Sequence, residues 1–471
     1  MIYFIALIVF LLPSYLVRFS VFGIPTTMLE VLIYGAFVTT LILKLKSKNE
    51  KPKLKTKNLY IIPIILFIIS GILSVAMAPD KREALGLFKA YIIDPILFFY
   101  IVISFDRKKE ILNPKHEILN KPQFSNNQSQ NKSKIINHKS EILMKALIAS
   151  GVLVALHAIW QKLTGDTTID GRILGIFSLD ANSSPNYLAF YLVPIAVLIS
   201  GLEMNIIGSN LMKIDSFYKN IWYYDISFIL ITYAIWLTGS RAAIGALVAG
   251  VISYFVISYW QKIKSNRIFT LLLYCFITLL LVIGWQNTKP DWGATPDAGR
   301  ISSSNNIRWE IWNTTVKDMI PHNMVWLKGV GFGNYQNYFS ELTNNKVNYP
   351  EWITPWAHTP HNLFLNIWMN LGLLGLISFI WILTLFFKPQ TTNTKSQINP
   401  NIQIKNLPAD RQDSNQSIIH HSPFTIYYSM MIAILIQGLV DSSVYKNDLW
   451  ILFWLIIGLS IIINLSTSTK D

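Results

Sequence analysis

The sequence predicts an all-α polytopic membrane protein with about 12 transmembrane helices. Of its 471 residues, 52% are hydrophobic and only 14% are charged, whereas soluble domains carry about 25% charged residues. The hydrophobic residues occur in long blocks, each near the ~20 residues that a helix needs to cross a bilayer. Because backbone polar groups in hydrocarbon must be paired within their own segment, we expect these blocks to be helices.

The expected spans follow the apolar blocks in chain order. The first block lacks the basic N-terminal region and the Ala-x-Ala site of a cleaved signal peptide, so we expect it to be retained as a span. Asp94 and Pro95 interrupt the fourth block. The blocks lie at 2–22, 25–43, 59–78, 89–105, 142–161, 187–203, 223–239, 242–260, 268–285, 361–387, 424–440 and 449–465.

The distribution of lysine and arginine predicts that both termini are cytoplasmic, since basic residues are retained on that side of a membrane. The connections after even-numbered spans, together with the termini, contain 25 basic residues, and seven of these are lysines in 44–57. The opposite side contains 13. Topology therefore accounts for much of the net charge of +14, and no nucleic-acid partner is expected.

The polar connections divide the chain into seven segments. Residues 106–141 and 388–423 are interpreted as low-complexity cytoplasmic linkers, because they cannot bury enough apolar surface to offset the entropy of ordering. A large extracytoplasmic loop, 286–360, separates spans 9 and 10. The membrane-embedded segments are 1–105 with spans 1–4, 142–285 with spans 5–9, 361–387 with span 10, and 424–471 with spans 11 and 12.

The large loop is expected to be folded. Seven tryptophans lie at or within its limits, which indicates folded structure, an interfacial aromatic belt or a sugar-binding platform. Asn306–Met319 has the spacing of an amphipathic helix lying near the membrane surface. Gly329–Tyr335 looks like a nucleotide-binding loop, but no strand precedes it and it faces outward. We interpret it as a turn that brings backbone close to a substrate or an anion, or as a tight turn alone.

Three outward-facing arginines near span ends are candidate anion ligands. The positive-inside rule gives no reason for arginine on this side, and guanidinium groups bind phosphate oxygens bidentately. The alternatives are anchors that reach the membrane boundary and scattered surface charge. The three residues are Arg172, Arg241 and Arg308.

His361 lies at the expected N-terminus of span 10, where the helix dipole disfavours a charged imidazole. A neutral imidazole suits a general base, and an amphipathic interfacial histidine is the simpler alternative. A zinc site with His358 is disfavoured, because Pro360 lies between the two histidines and no third ligand is near in sequence. We expect no metal site and no cofactor. The single cysteine, Cys275, excludes an intrachain disulfide.

Together these segments resemble the O-antigen ligase and O-antigen polymerase superfamily. The resemblance covers about residues 160–380 and implies twelve spans in the cytoplasmic (inner) membrane, with a large external loop between spans 9 and 10. It is carried by Ser240-Arg241-Ala242, the Gly329–Asn334 turn, His361-Asn362 followed by Gly372 and Gly375, Arg172 through Asn186-Tyr187-Leu188-Ala189, and Arg308-Trp309 with Trp312.

The resemblance implies a metal-independent, inverting glycosyltransferase whose donor is a polyprenyl-diphosphate-linked glycan and whose acceptor is a glycan, lipid or protein. Arg241 and Arg308 would hold the diphosphate and stabilise the leaving group, and Arg172 would be a further contact. His361 would accept the proton of the acceptor hydroxyl. The remaining substrate-binding candidates are Asn186, Asn362 and His358.

One position departs from the family pattern. An acidic residue often follows the histidine by nine positions, and this chain has Asn370 there, which leaves base strength and acceptor type open. The rival interpretation is a lipid-linked oligosaccharide flippase or another twelve-helix transporter. The short connection between spans 6 and 7 and the scarcity of ionisable residues in the spans disfavour it. The sequence does not separate a ligase from a polymerase.

Overall fold

A computed structural model describes residues 1–21, 24–46, 55–104, 124–168, 172–177, 184–210, 214–265, 304–344, 357–388, 423–442, 444 and 446–467. Helices dominate these residues. They are α1 (Ile2–Phe10), α2 (Met28–Lys46), α3 (Lys55–Met77), α4 (Lys81–Phe88), α5 (Asp94–Ser104), α6 (Phe124–Thr164), α7 (Pro185–Asn210), α8 (Ile214–Leu237), α9 (Arg241–Ser265), α10 (Ser304–Thr314), α11 (Val325–Lys328), α12 (Tyr335–Asn344), α13 (Leu363–Phe387), α14 (Pro423–Gly438) and α15 (Asn447–Thr467).

The apolar helices make the chain a multi-pass membrane protein. Within the described residues, seven helices are long and apolar enough to cross a membrane, and three shorter apolar helices accompany them. The predicted helical class is therefore confirmed. The total of about twelve spans stays a prediction, because the ninth block at 268–285 lies outside the described residues.

The first expected span, 2–22, is wrong as a single helix. α1 ends at Phe10, a 3₁₀ turn covers Leu12–Leu16, and the chain then forms an antiparallel pair of strands, β1 (Arg18–Val21) and β2 (Ile24–Thr27). Pro13 explains the break, since a proline inside an α-helix removes a hydrogen bond and clashes with the preceding turn. At the start of the 3₁₀ turn its missing N–H needs no partner.

The fourth expected span, at 89–105, lies within one continuous helical segment from Lys81 to Ser104. The Asp80 side chain caps its first turn by accepting hydrogen bonds from the N–H groups of the second and third residues after it. A π-helical turn, Lys89–Ile93, immediately precedes Asp94 and Pro95. We attribute this turn to Pro95, which cannot donate to the preceding turn.

The fifth expected span belongs to a helix longer than predicted. α6 begins at Phe124, so the second half of the predicted linker 106–141 is helical. A helix that already has a nucleus gains one hydrogen bond per added residue, which lets an apolar span extend into polar sequence. The rest of that linker, and the predicted linker after residue 388, lie outside the described residues.

Two helices form the centre of the bundle. Every side chain of Leu188–Ser200 on α7 and of Asp448–Ile463 on α15 is buried, as expected for helices that are covered on all sides. By contrast, α3 exposes a row of side chains that includes Ile61, Ile65 and Ile72, the surface that hydrocarbon would cover. The ends of α7 and α15 therefore lie at the bundle axis.

The described part of the large loop is folded and has its own small core, formed by residues that include Ile311, Met319, Val325 and Phe339. The predicted helix over Asn306–Met319 is present as α10 and a π-helical turn. Its position near the membrane surface stays a prediction, but two residues of its apolar face pack inside the protein. Ile311 and Met319 are fully buried, because they pack inside the protein core.

The expected span 361–387 is present as α13, but the helix breaks at Gly372 (φ 68°, ψ −171°). The ring centroids of Phe364 and Phe379 are 6.0 Å apart, whereas fifteen residues of straight helix would separate them by about 22 Å. The two halves are thus bent sharply towards each other. The first half begins at Leu363, two residues after His361, so His361 lies at the end of the bundle where this helix starts.

The glycine turn in the loop packs against this break. The Val330 N–H donates to the Met369 carbonyl at 2.7 Å, which the break leaves without its usual helical partner. Gly329 has a φ of 73°, and a Cβ there would lie 2.6 Å from the same carbonyl oxygen. A Cβ on Gly331 would lie 2.9 Å from the Ala78 backbone. The close approach that these glycines permit is therefore to the protein's own backbone.

Candidate functional site

Four side chains from distant parts of the chain meet at one end of the bundle. They come from the N-terminus of α7, from α10, from the residue before Asn362 at the start of α13, and from the connection between α14 and α15. We call this group, Asn186, Arg308, His361 and Asp441, the Asp441 cluster. The sequence singled out the first three, and Asp441 is the functional candidate that it missed.

The Asp441 carboxylate is the centre of the cluster. Its Oδ1 lies 3.0 Å from His361 Nδ1 and accepts the Ser442 N–H at 2.8 Å. Its Oδ2 accepts a hydrogen bond from Asn186 Nδ2 at 3.1 Å and lies 3.4 Å from Arg308 Nη2. Both oxygens are therefore bound by donors.

The environment of Asp441 favours its ionised form. Burial alone would raise the pKa of this carboxyl, but the hydrogen bond and charge of His361, the Arg308 guanidinium and the Ser442 N–H outweigh burial and lower it. An ionised carboxylate only accepts hydrogen bonds, so Nδ1 of His361 is assigned as the nitrogen that carries a proton. In a neutral imidazole the basic nitrogen is then Nε2, as a general base requires.

The backbone at His361 is held in an unusual conformation. Its φ is 45°, a left-handed value that costs a non-glycine residue about 1–3 kcal/mol and persists only where neighbours enforce it. The Pro360 carbonyl accepts a hydrogen bond from Trp312 Nε1 at 2.8 Å, and the His361 N–H donates to Thr359 Oγ1 at 3.3 Å. These contacts from the large loop fix the direction of the imidazole.

Asn362, a predicted substrate-binding residue, has a structural role here. Its Oδ1 caps α13 by accepting the N–H groups of Phe364 and Leu365, both at 3.0 Å. Its Nδ2 donates to the Leu439 carbonyl at 2.8 Å. Because Leu439 lies two residues before Asp441 and Asn362 directly follows His361, this hydrogen bond ties the segment of His361 to the segment of Asp441.

His358 lies apart from these contacts. Its Nδ1 is 2.7 Å from Oε1 of Gln336, which belongs to α12, and the pair is exposed. No hydrogen bond between His358 and the Asp441 cluster is found in the described residues. The two histidines therefore have different partners and different exposure.

The other two arginines lie at the corner between α8 and α9. Arg241 is the first residue of α9 and is exposed. The Arg172 side chain packs on Gly239, where an added Cβ would lie 3.0 Å from Arg172 Cδ, and its backbone is paired with Thr168. We call Arg172, Gly239 and Arg241 the Gly239 corner.

Asn370, at the position where the resemblance leads us to expect an acidic residue, has no hydrogen bond to His361 among the described residues. It is buried, and its Nδ2 donates to Asn366 O at 2.8 Å and Asn366 Oδ1 at 2.9 Å. Asp441 supplies the carboxylate to the imidazole instead. The sequence did show that Asp441 directly follows span 11 on the predicted outward side, which is the side of the candidate arginines and His361.

The apolar helical bundle defines a multi-pass membrane protein. A histidine, a carboxylate and arginines form an ionisable site at one end of it. Residues 226–380 match the O-antigen ligase family. The chain is also 27% identical over 171 residues to the O-antigen ligase of Salmonella typhimurium strain LT2, which corresponds to 35% of this chain and 39% of that protein. The chain thus matches well under half of that relative's length.

These similarities to O-antigen ligases confirm the resemblance seen in the sequence. The matched segment includes Arg241, Arg308 and His361, and it ends before Asp441. The place of Asp441 beside His361 is thus a result of the three-dimensional structure, independent of the family match.

Proposed function

We propose that the protein is a metal-independent, inverting glycosyltransferase that moves a glycan from a polyprenyl-diphosphate carrier to an acceptor hydroxyl at the outer face of the cytoplasmic membrane. The observation that carries this proposal is the position of His361 Nδ1 and Arg308 Nη2 on the two oxygens of Asp441, at 3.0 and 3.4 Å. A base and a cation for a phosphate leaving group thereby lie in one cluster.

The reaction follows from this arrangement. The acceptor hydroxyl oxygen attacks the anomeric carbon, and Nε2 of His361 takes the proton of that hydroxyl. The bond between the anomeric carbon and the phosphate oxygen breaks, and the diphosphate leaves with the bonding electrons. Asp441 stabilises the imidazolium that forms, much as a carboxylate stabilises the histidine of a catalytic triad.

The arginines would stabilise the departing diphosphate. Arg308 is held in place by Asp441, and Arg241 begins α9 at the exposed Gly239 corner. Guanidinium groups aimed at oxygens on which negative charge develops lower the barrier directly. Two arginines can in this way supply positive charge to a diphosphate whose leaving ability is already high.

The test is a purified transfer assay with a polyprenyl-diphosphate-linked glycan and an acceptor. Removal of a general base lowers rates by about 10²–10⁴-fold, so we expect His361→Ala to stall transfer while donor binding persists. His358→Ala is the matched control and should have a small effect, because its partner is Gln336. Activity should persist in EDTA. Transfer by His361→Ala at the wild-type rate would remove the base assignment, and transport without a new glycosidic bond would establish a flippase.

The same assay separates a ligase from a polymerase. A ligase attaches one finished glycan to a lipid or protein acceptor, and a polymerase lengthens the glycan by repeating units. Product size on a gel therefore distinguishes the two.

The proposed side of the membrane has its own test. We expect cysteines placed at 304–344 to react with an impermeant reagent in intact cells, and cysteines at 106–123 to react only after permeabilisation. The basis is the bias of basic residues between the two sides. External labelling at 106–123 would reverse the orientation and place the Asp441 cluster in the cytoplasm.

A further inference from the structure

One basic residue near the Asp441 cluster is not used by the proposed mechanism. Lys446 lies five residues after Asp441, in the connection that leads into α15. Its Nζ is 4.2 Å from the centroid of the Tyr187 ring and 5.9 Å from that of Tyr15. Tyr187 directly follows Asn186, which donates to Asp441. The ammonium group therefore lies at the same end of the bundle as His361.

The Lys446 ammonium has neither an ion pair nor a hydrogen bond in the part of the chain that the structure describes. Within the described residues, no carboxylate lies at ion-pair distance from Nζ and no acceptor lies at hydrogen-bond distance. The two tyrosine rings attract a cation through their π faces, but a ring face does not replace the oxygen acceptors that an ammonium group binds in water. A partly buried ammonium group of this kind is well suited to an anionic ligand.

The charged groups around Lys446 are of both signs. Asp448 on α15 is fully buried, and Arg18 in β1 is exposed. Burial lowers the pKa of the Lys446 ammonium, Asp448 opposes that change, and Arg18 adds to it. A phosphate beside Nζ would compensate both the lost hydration and the repulsion by Arg18.

A purely anchoring role fits the position less well. Lysines that anchor a membrane boundary extend their ammonium groups into water or headgroups, and the positive-inside rule gives no reason for a lysine on the predicted outer side. Lys446 instead lies over the rings of Tyr15, which is buried, and Tyr187, which is in the first turn of the central helix α7. The rings hold the ammonium against the bundle.

We infer that Lys446 is a further substrate-binding residue, whose ammonium group, held between Tyr15 and Tyr187, binds a phosphate of the diphosphate carrier beside the Asp441 cluster. The inference rests on the proposed function for the identity of the carrier. It gives the site a cation that lies outside the segment 226–380 matched by the family.

The first experiment measures binding of a polyprenyl diphosphate without glycan to the purified full-length protein in phosphatidylcholine nanodiscs. Lys446→Met should weaken binding about tenfold, as expected for loss of one charge-assisted hydrogen bond. Lys446→Arg should stay within about threefold, since it keeps the charge. Lys317→Met removes an exposed lysine of the large loop, on the same predicted side of the membrane, and should leave binding unchanged.

A second experiment uses the wild-type protein and does not depend on how a variant folds. Acylation of Lys446 by an amine-reactive reagent, followed by mass spectrometry, should slow several-fold when polyprenyl diphosphate is present, and acylation of Lys317 should not. Unchanged acylation of Lys446 at saturating ligand would overturn the inference. So would equal binding by wild type and a folded Lys446→Met variant.

The results also separate this inference from the proposed function and from a lipid site. If the wild type binds the diphosphate through Lys446 but forms no glycosidic bond, the inference stands and the proposed function fails. If Lys446→Met still transfers glycan and binds polyprenyl diphosphate with wild-type affinity, the proposed function stands and the inference fails. If phosphatidylglycerol protects Lys446 from acylation and polyprenyl diphosphate does not, the residue binds bilayer headgroups, and the inference is wrong.

Discussion

The Asp441 cluster and the Gly239 corner each contain an arginine, and the two arginines differ in exposure and in their partners. Arg308 is mostly buried and lies 3.4 Å from the Asp441 carboxylate, with side-chain exposures of 21% and 13%. Arg241 is exposed at the first position of α9. The Arg308 guanidinium is thus positioned before a ligand binds, whereas the exposed Arg241 side chain becomes ordered only when it binds one.

This difference predicts how each group acts. Donors that are already oriented cost no reorganisation when charge develops in the transition state, whereas an exposed arginine loses side-chain entropy on binding. We therefore expect the Asp441 cluster to contribute mainly to the chemical step. The Gly239 corner should contribute mainly to capture of the anionic donor.

The largest expected effect is that of Asp441→Asn, which keeps the shape of the side chain and removes its charge. The amide can no longer stabilise an imidazolium or enforce a proton on Nδ1, so we expect kcat to fall by about a hundredfold or more. Steady-state transfer kinetics measure this, with thermal unfolding as the check on folding. A kcat within threefold of wild type would show that Asp441 only supports the structure.

The two arginines should differ in a second measurement. Arg308→Ala and Arg241→Ala should each reduce kcat/KM at least tenfold, about 1.4 kcal/mol. Only Arg308→Ala should also lower thermal stability, since it removes a partner of a buried carboxylate and such losses cost about 1–3 kcal/mol. Arg241→Lys should recover activity only in part, because lysine lacks the bidentate fork.

Equal stability losses in the two alanine variants would contradict this comparison. An Arg241→Ala variant with a reduced kcat and an unchanged KM would contradict it too, because the exposed arginine would then act in the chemical step.

The smallest expected effect is in the pH dependence of stability. The pKa of Asp441 is lowered in the folded protein, so its ionised form stabilises the fold above the ordinary aspartate pKa of about 3.9. That stabilisation is lost as the pH falls through the lower folded-state pKa. As the pH is lowered through this acidic range, the thermal unfolding temperature should therefore fall more for wild type than for Asp441→Asn. Parallel curves would show that the carboxylate contributes no such stability.

Local sequence was enough to determine the helical, membrane-embedded class of this protein. Long apolar runs specify helices wherever water is absent, and most observed helices overlap the predicted blocks. Residue type and position singled out Arg308 and His361, and the resemblance to the family singled out Asn186. The partner of all three was not predictable locally, because Asp441 is separated from His361 by 80 residues and from Asn186 by 255.

Only the tertiary structure decided the conformation of the segments that hold the site. Apolar content alone predicts one span over 361–387. The sharp break depends on Gly372, where an added Cβ would collide with the backbone of Leu327 and Lys328. The apolar face of 306–319 could be covered by lipid or by protein, and in the structure its residues Ile311 and Met319 pack in the core of the large loop. Hydrophobic pattern specifies which side chains avoid water, and the packing of distant segments decides what covers them.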